Sequence, residues 1–402
     1  MKKFDVAVIG AGIIGLSTAM QTLQQFRGTR LVVLDKENSL AAHQTGRNSG
    51  VLHSGIYYAP GSLKARFAVT GRTALVEFAE KHSIPHAICG KVVVACTDEE
   101  MGRACQLAER GEANRVPARL LPIEGIQEIE PNVCGVAGLH VPSTGIIDYV
   151  RVCEVMADEI TKAGGEILLG HSLEGIHSKP DEIVLRVGEE EISCRYLVNC
   201  AGLYSDRIAH MSETALSDVK IVPFRGEYYT LVAEQKNLVR NLVYPVPNPS
   251  FPFLGVHFTR LVHGGMEVGP NAVPAFAREG YRWRDIVLRD ITETLLWPGF
   301  RKLASSYWKT GLAEIRRSVS KHAFVHALQR IVPAVRARDL VRAPAGVRAQ
   351  ALTATGVLVD DFTVMSDDHM VHVVNAPSPA ATASLPIGAH IAGILGERMA
   401  LG

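Results

Sequence analysis

Phe4-Asp5-Val6-Ala7-Val8-Ile9 runs into Gly10-Ala11-Gly12-Ile13-Ile14-Gly15 and then into an apolar-periodic stretch from Leu16 to Phe26. A strand, a glycine-rich turn and a helix in this order open a dinucleotide-binding unit. Gly10 allows the tight turn, Gly12 lets backbone approach a pyrophosphate, and Gly15 lets the helix pack closely on its strand. The pyrophosphate sits at a helix N-terminus, where unpaired N–H groups and the helix dipole favour negative charge. A second strand, Arg30 to Leu34, ends at Asp35, where a carboxylate can accept hydrogen bonds from the adenosine ribose. The motif alone does not separate FAD from NAD. A second full GxGxxG is absent, so one dinucleotide is expected.

A chain of 402 residues exceeds what one hydrophobic core usually serves, so two domains are expected. Lys plus Arg total 42 against 41 for Asp plus Glu, which gives no overall attraction to nucleic acid, and none is expected as a partner. Seven cysteines without CxxC spacing argue against a disulfide framework or a zinc site, so no metal is expected and the thiols read as reduced, in the cytoplasm. Met1-Lys2-Lys3 imitates the start of a signal peptide, but the apolar stretch behind it is the first strand, broken by the glycine turn. No run reaches the length of a membrane-spanning helix.

Along the chain, helices are expected at Leu63 to His82, Tyr149 to Ala163 and Leu385 to Met399, and strands at Lys91 to Thr97, Glu166 to Leu169, Ile183 to Val187, Tyr196 to Cys200 and Met370 to Val374. The strand ending at Cys200 enters Ala201-Gly202-Leu203, either a second close-approach site for a flat or phosphorylated ligand or a plain strand-to-helix turn. Val219 to roughly Leu340 has a different texture, with aromatics, prolines and candidate antiparallel strands such as Glu227 to Val232 and Gly265 to Val268, and reads as a substrate domain.

Several further runs carry a resemblance: His43 to Tyr58, with Thr45, Gly46, Arg47, Asn48, Ser49 and Gly50 at its start; Phe253 to Thr259; Gly269 to Val273; Gly346-Val347-Arg348-Ala349-Gln350; and Asn375 to Thr382. In these the chain resembles the L-2-hydroxyglutarate dehydrogenase/oxidase family, within the FAD-dependent D-amino-acid oxidase and glycerol-3-phosphate dehydrogenase superfamily. The resemblance implies an α/β fold: a Rossmann-type FAD-binding domain from residues 1–85, 145–215 and 341–402, and an α+β substrate domain with a largely antiparallel sheet from 86–144 and 216–340. It implies oxidation of L-2-hydroxyglutarate to 2-oxoglutarate by hydride transfer to flavin, with electrons leaving for a membrane quinone of the respiratory chain or for oxygen. The implied FAD contacts are Gly10, Gly12, Ile14, Gly15, Asp35, Lys36, Thr45, Arg47, Asn48, Ser49, Gly50, Leu173, Ala201, Gly202, Gly346, Ser378, Pro379, Ala380 and Thr382.

Oxidising a secondary alcohol needs a hydride acceptor and a base for the hydroxyl proton, and neutral imidazole suits the second task. His257 and His53 compete for it, with His257 preferred; among 15 histidines most must be surface or structural. Two substrate carboxylates call for fixed cations, and Arg348 is the first choice, Arg225 the second, each set against the reading of an ordinary surface arginine. Tyr57 and Tyr58 are candidate carboxylate donors or plain packing residues. Ser378 and Thr382 near the final helix read as flavin-holding hydroxyls or as N-caps.

From Gly299 to Arg330 the cations Arg301, Lys302, Lys309, Arg316, Arg317, Lys321 and Arg330 face one acid, Glu314, and Phe300, Leu303, Tyr307, Trp308, Leu312, Ile315 and Val319 recur at helical spacing. A basic amphipathic helix with Trp can lie on a membrane, here the cytoplasmic face; the competing reading packs the apolar stripe inward. Two other functions stay open: an FAD-dependent amine or amino-acid oxidase, and a non-enzymatic nucleotide-binding module.

Overall fold

The computed structural model describes residues 1–180, 182–212, 218–248 and 254–401. Phe253, the first residue of one resembling run, lies outside the described residues. The opening unit forms as its pattern dictates: β1 (Lys2–Ile9), α1 (Ile13–Gln25) and β2 (Leu31–Leu34). β1 pairs in parallel with β2 on one side and with Glu190–Asn199 on the other. Glu166–Leu168 and Met370–Asn375 extend the sheet in parallel, and an antiparallel meander of Leu173–Ser178 and Ile183–Val187 flanks it. Period-two alternation splits β1 between two cores. Val6 and Val8 pack with α1, Tyr149–Lys162 and Ser384–Leu401, while Ala7 and Ile9 pack with the meander. The C-terminal helix closes back on α1, where Ser17 Oγ donates to the Ser384 carbonyl at 2.8 Å.

The second sheet runs Val273–Pro274, Val219–Leu231, Met266–Gly269, His257–Arg260, Leu242–Pro245, Lys91–Ala95, Ala137–Val141, Arg119–Pro122, with Leu340–Thr353 also paired to Val219–Leu231. Its pairs are antiparallel except Leu242–Pro245 with Lys91–Ala95, among the described residues. Leu340–Thr353 corrects one expected boundary. The expected third FAD-binding segment starts at residue 341, yet Leu340–Thr353 forms a twelve-pair ladder with Val219–Leu231 in the second sheet. The reason is tertiary: a strand's partner, not its own pattern, decides which sheet owns it. His86–Ala87, expected in the substrate domain, pairs with Gly145–Ile147 in a small third sheet that also holds Val51–Leu52.

The basic segment forms three short helices, Pro298–Ser306, Trp308–Val319 and Lys321–Gln329. Leu303 and Phe300 pack inward against Val222, Phe224 and Leu352. The stripe of the middle helix does not: Trp308 is 57% exposed, Leu312 57%, Ile315 39% and Val319 67%. Its acid Glu314 is buried instead, accepting from the Ala272 N–H at 3.0 Å. Inward packing therefore fails for this helix, and it presents an apolar stripe among the exposed cations Arg301, Lys302, Lys309 and Arg316.

Candidate active site

At the end of β1 the chain turns at Gly10 with φ of +107°, where a Cβ would lie 2.5 Å from the Cys200 carbonyl oxygen. A Cβ on Gly15 would lie 1.9 Å from the Gly10 carbonyl oxygen, so close helix-on-strand packing requires glycine there as well. Gly12 differs. Its φ is −79°, and a Cβ would meet only the Thr45 hydroxyl at 3.4 Å. The protein's own packing thus admits a side chain at Gly12, and the glycine leaves room above the α1 N-terminus. That terminus has no side-chain cap and no acid in its first turn, while the Ile13 N–H donates to Thr45 Oγ1 at 3.2 Å. Asp35 accepts from the Ala11 N–H at 2.6 Å and the Glu37 N–H at 2.9 Å, which holds its carboxylate at the lip of the same turn.

The expected cofactor residues fall around this lip with different duties. Ala201 lies against the Gly10 turn, so the second strand-to-helix turn adjoins the first, and Gly202 has φ of +52°. Asn48 folds its own loop, donating to the Gln44 and Thr45 carbonyls and accepting from the Gly50 N–H. Gly346 lets its strand pass the Arg47 carbonyl, which a Cβ would approach to 2.3 Å. Arg47 stacks on Tyr281 at 4.0 Å. Leu173 is a core residue of the meander. Lys36 is tied to Glu37, to Glu279 at 2.5 Å and to His43 at 3.3 Å. Glu37, His43 and Glu279 have donor atoms within 4.8 Å of one another, as a metal site would require, but the Lys36 ammonium between them neutralises the carboxylates. Thr382 is fully buried and its hydroxyl is engaged by the His53 N–H, Tyr149 and the Val51 carbonyl. Its side chain braces the His53 loop, and all three of these partners engage its hydroxyl.

Opposite lies one face of the second sheet. Val92, Val94, Val243, Phe258 and Val268 go to the outer core beneath Lys321–Gln329, so alternation turns Lys91, Tyr244, His257, Thr259 and Glu267 the other way. His257 stacks on Tyr244 with centroids 3.8 Å apart, and its Nδ1 lies 2.8 Å from the Gly255 carbonyl. A carbonyl only accepts, so Nδ1 carries the proton and Nε2 keeps the lone pair. Burial first, then the opposing Arg348 and Lys91 charges, draw the His257 pKa down to about 3 despite the Gly255 contact. His53 faces the same group: burial first, then Lys91, His257, Lys64 and Arg348, draw its pKa down to about 3, and Ser378 Oγ lies 3.5 Å from its Nε2. Arg348 hydrogen-bonds Tyr228, whose pKa burial pushes up to about 12. Tyr58 hydrogen-bonds Ser378, while the buried Tyr57 hydroxyl has no hydrogen-bond partner among the described residues. Burial also pushes Glu267 up to about 7.

His53, His257, Arg348, Tyr57, Tyr58 and Ser378 thus converge from segments up to 325 residues apart in sequence. Arg225 does not join them. It is fully buried, paired with Glu227 at 3.2 Å and stacked on Trp283 at 4.5 Å, so the second arginine candidate has a partner elsewhere. Lys91, Tyr228, Tyr244 and Glu267 were missed by sequence reasoning. A lysine opening an apolar strand reads as a solvated end, and period-two alternation marks a face without telling what it meets.

A sequence model of the family "FAD dependent oxidoreductase" matches residues 5–394. The L-2-hydroxyglutarate dehydrogenase of Indibacter alkaliphilus is 48% identical over 386 residues, covering 96% of this chain and 97% of that protein. Those of Escherichia coli K12 (43%, covering 96% and 92%) and of human mitochondria (42%, covering 99% and 90%) are similar along the same length. Among solved structures, the FAD-bound L-alpha-glycerophosphate oxidase of Mycoplasma pneumoniae matches with a TM-score of 0.79 at 22% identity, covering 98% of this chain and 95% of that one. Glycine oxidase from Geobacillus kaustophilus matches with 0.75 at 16% identity, covering 99% and 95%, and both share the fold.

Proposed function

The chain belongs to the FAD dependent oxidoreductase family, and from that premise we propose that it oxidises L-2-hydroxyglutarate to 2-oxoglutarate. It is an FAD-dependent 2-hydroxy-acid dehydrogenase. The residues present fit FAD: the space left by Gly12 over the α1 N-terminus, where the cap residue itself has no side chain, suits a pyrophosphate, and the oriented Asp35 carboxylate suits a ribose. Gly10, Gly12, Asp35, Thr45 and the Ala201–Gly202 turn would hold it. When bound, the flavin supplies the acceptor for the C2 hydride.

The observation that carries the reaction is the single tautomer of His257, with Nε2 free as an acceptor beside two cations. Nε2 takes the hydroxyl proton as the C2 hydrogen leaves with its electron pair, and a ketone forms at C2. Arg348 binds the C1 carboxylate next to that carbon through its guanidinium fork. In the free protein burial first, and then these cations, keep both histidines neutral. A bound dianion offsets those charges and lifts the imidazole pKa, so the base gains strength when substrate is in place. His53, tied at its backbone to Thr382, lines the site beside Ser378.

The experiment is an anaerobic absorbance titration of the holoprotein with L-2-hydroxyglutarate, with the D enantiomer and glycine as controls. Selective bleaching of oxidised flavin by the L enantiomer supports the reading. Bleaching by glycine and not by either hydroxy acid would move the amine-oxidase alternative ahead.

Electrons then leave for a quinone, and the exposed stripe of Trp308–Val319 favours docking of the protein on the cytoplasmic face of an anionic membrane. Among the described residues no helix is long and apolar enough to cross a membrane. Leu288, Leu295 and Leu296 of the helix Leu288–Leu296 are also exposed and add to the apolar surface.

A further inference from the structure

Lys91 is a cation in an unusual position. It opens the strand Lys91–Ala95, is 1% exposed, and lies between two aromatic rings, with Nζ 4.2 Å from the centroid of Tyr57 and 5.0 Å from that of Tyr244. No carboxylate pairs with it among the described residues. Lys64, which with Lys91 acts on His53, shows the ordinary arrangement, lying near the Tyr58 ring with its charge matched by Asp360 at 2.9 Å. A buried cation without an anion is costly, and ring faces offset only part of that cost. An anion arriving from outside would offset the rest of that cost.

We propose that Lys91 binds the C5 carboxylate of the substrate and selects dicarboxylic over monocarboxylic 2-hydroxy acids. The assignment rests on the L-2-hydroxyglutarate reading above. Its geometry is a division of labour on one sheet face. His257 stacks on Tyr244, and Tyr244 covers one side of Lys91, so the ammonium is one ring away from the base. Arg348 reaches the same face from the opposite part of the sheet, on the strand Leu340–Thr353. The unpartnered Tyr57 hydroxyl gives the C5 carboxylate a second donor beside the ammonium. Burial alone draws the Lys91 pKa down to about 7, a shift that a bound carboxylate reverses.

The test compares wild-type holoenzyme with Lys91→Met on L-2-hydroxyglutarate and on L-2-hydroxypentanoate, which has a methyl group where the substrate has its C5 carboxylate. The preference for the dicarboxylate, as a ratio of kcat/KM, should fall on the order of a hundred-fold, the loss of a charge-assisted hydrogen bond, and should fall through KM. Glutarate cannot be oxidised at C2, and its dissociation constant, read from the bound-flavin spectrum, should rise by the same factor. An unchanged ratio, or unchanged glutarate binding, overturns the assignment. Met removes a buried charge, so folding is expected to survive; if flavin content falls, Lys91→Gln carries the same comparison. A wild type that L-2-hydroxyglutarate does not reduce would sink the underlying substrate reading instead.

Discussion

His257 and His53 lie in one electrostatic field, yet their hydrogen bonds give them different prospects. His257 has its tautomer set by the Gly255 carbonyl, whereas among the described residues His53 Nε2 has only the Ser378 hydroxyl at 3.5 Å. His257→Asn should therefore lower the rate of flavin reduction by roughly 10²–10⁴-fold while glutarate still perturbs the flavin spectrum; stopped-flow reduction beside equilibrium titration measures both. The same residue makes a prediction about stability. Its folded pKa, about 3, lies below the ordinary 6.5, so the unfolded chain binds the extra proton. The stabilising contribution is complete above pH 6.5 and is lost as pH falls through the window down to about 3. Urea unfolding of wild type and His257→Asn across that window should show the difference between them shrinking with acid.

The strand–turn–helix at the N-terminus separates two kinds of glycine. Gly15 is demanded by the protein's own packing, so Gly15→Val should unfold or loosen the β1–α1 contact and lower the melting temperature of the apoprotein. On the proposed reading Gly12 serves the ligand, since among the described residues only Thr45 lies near its absent Cβ. Gly12→Val should keep native far-ultraviolet dichroism yet lose most of its FAD, read from the ratio of absorbance at flavin and protein wavelengths. Equal flavin content in wild type and Gly12→Val would place the pyrophosphate elsewhere.

At the scale of the molecule, a face of four exposed apolar residues on Trp308–Val319, ringed by cations, sits on the substrate-side sheet's helical cover. Sedimentation with vesicles should show binding to anionic and not to zwitterionic lipid, weakening with salt as surface charges are screened. Trp308→Ser should weaken it about tenfold, the share of one buried aromatic side chain. Protein that stays in the supernatant with anionic vesicles at low salt would leave the stripe without a membrane role.

The dinucleotide turn, its acid at Asp35 and the helix behind it were legible in the chain, because each depends on neighbours within about one supersecondary unit and on the backbone freedom of glycine. The amphipathic stripe from Trp308 to Val319 was equally legible as a periodicity, but not the direction it faces, since that depends on whether another element arrives to cover it. Leu340–Thr353 shows the same limit for strands: its partner is more than a hundred residues away, and nothing local names the sheet that owns it. Arg348 and Arg225 are alike on paper, and only the fold pairs one with Glu227 beside Trp283 and turns the other toward the histidines. Lys91 is the clearest case. By itself the chain determines a lysine at a strand end, and tertiary structure alone removes its water, supplies two aromatic faces and withholds an anion, because desolvation is a property of everything packed around a charge.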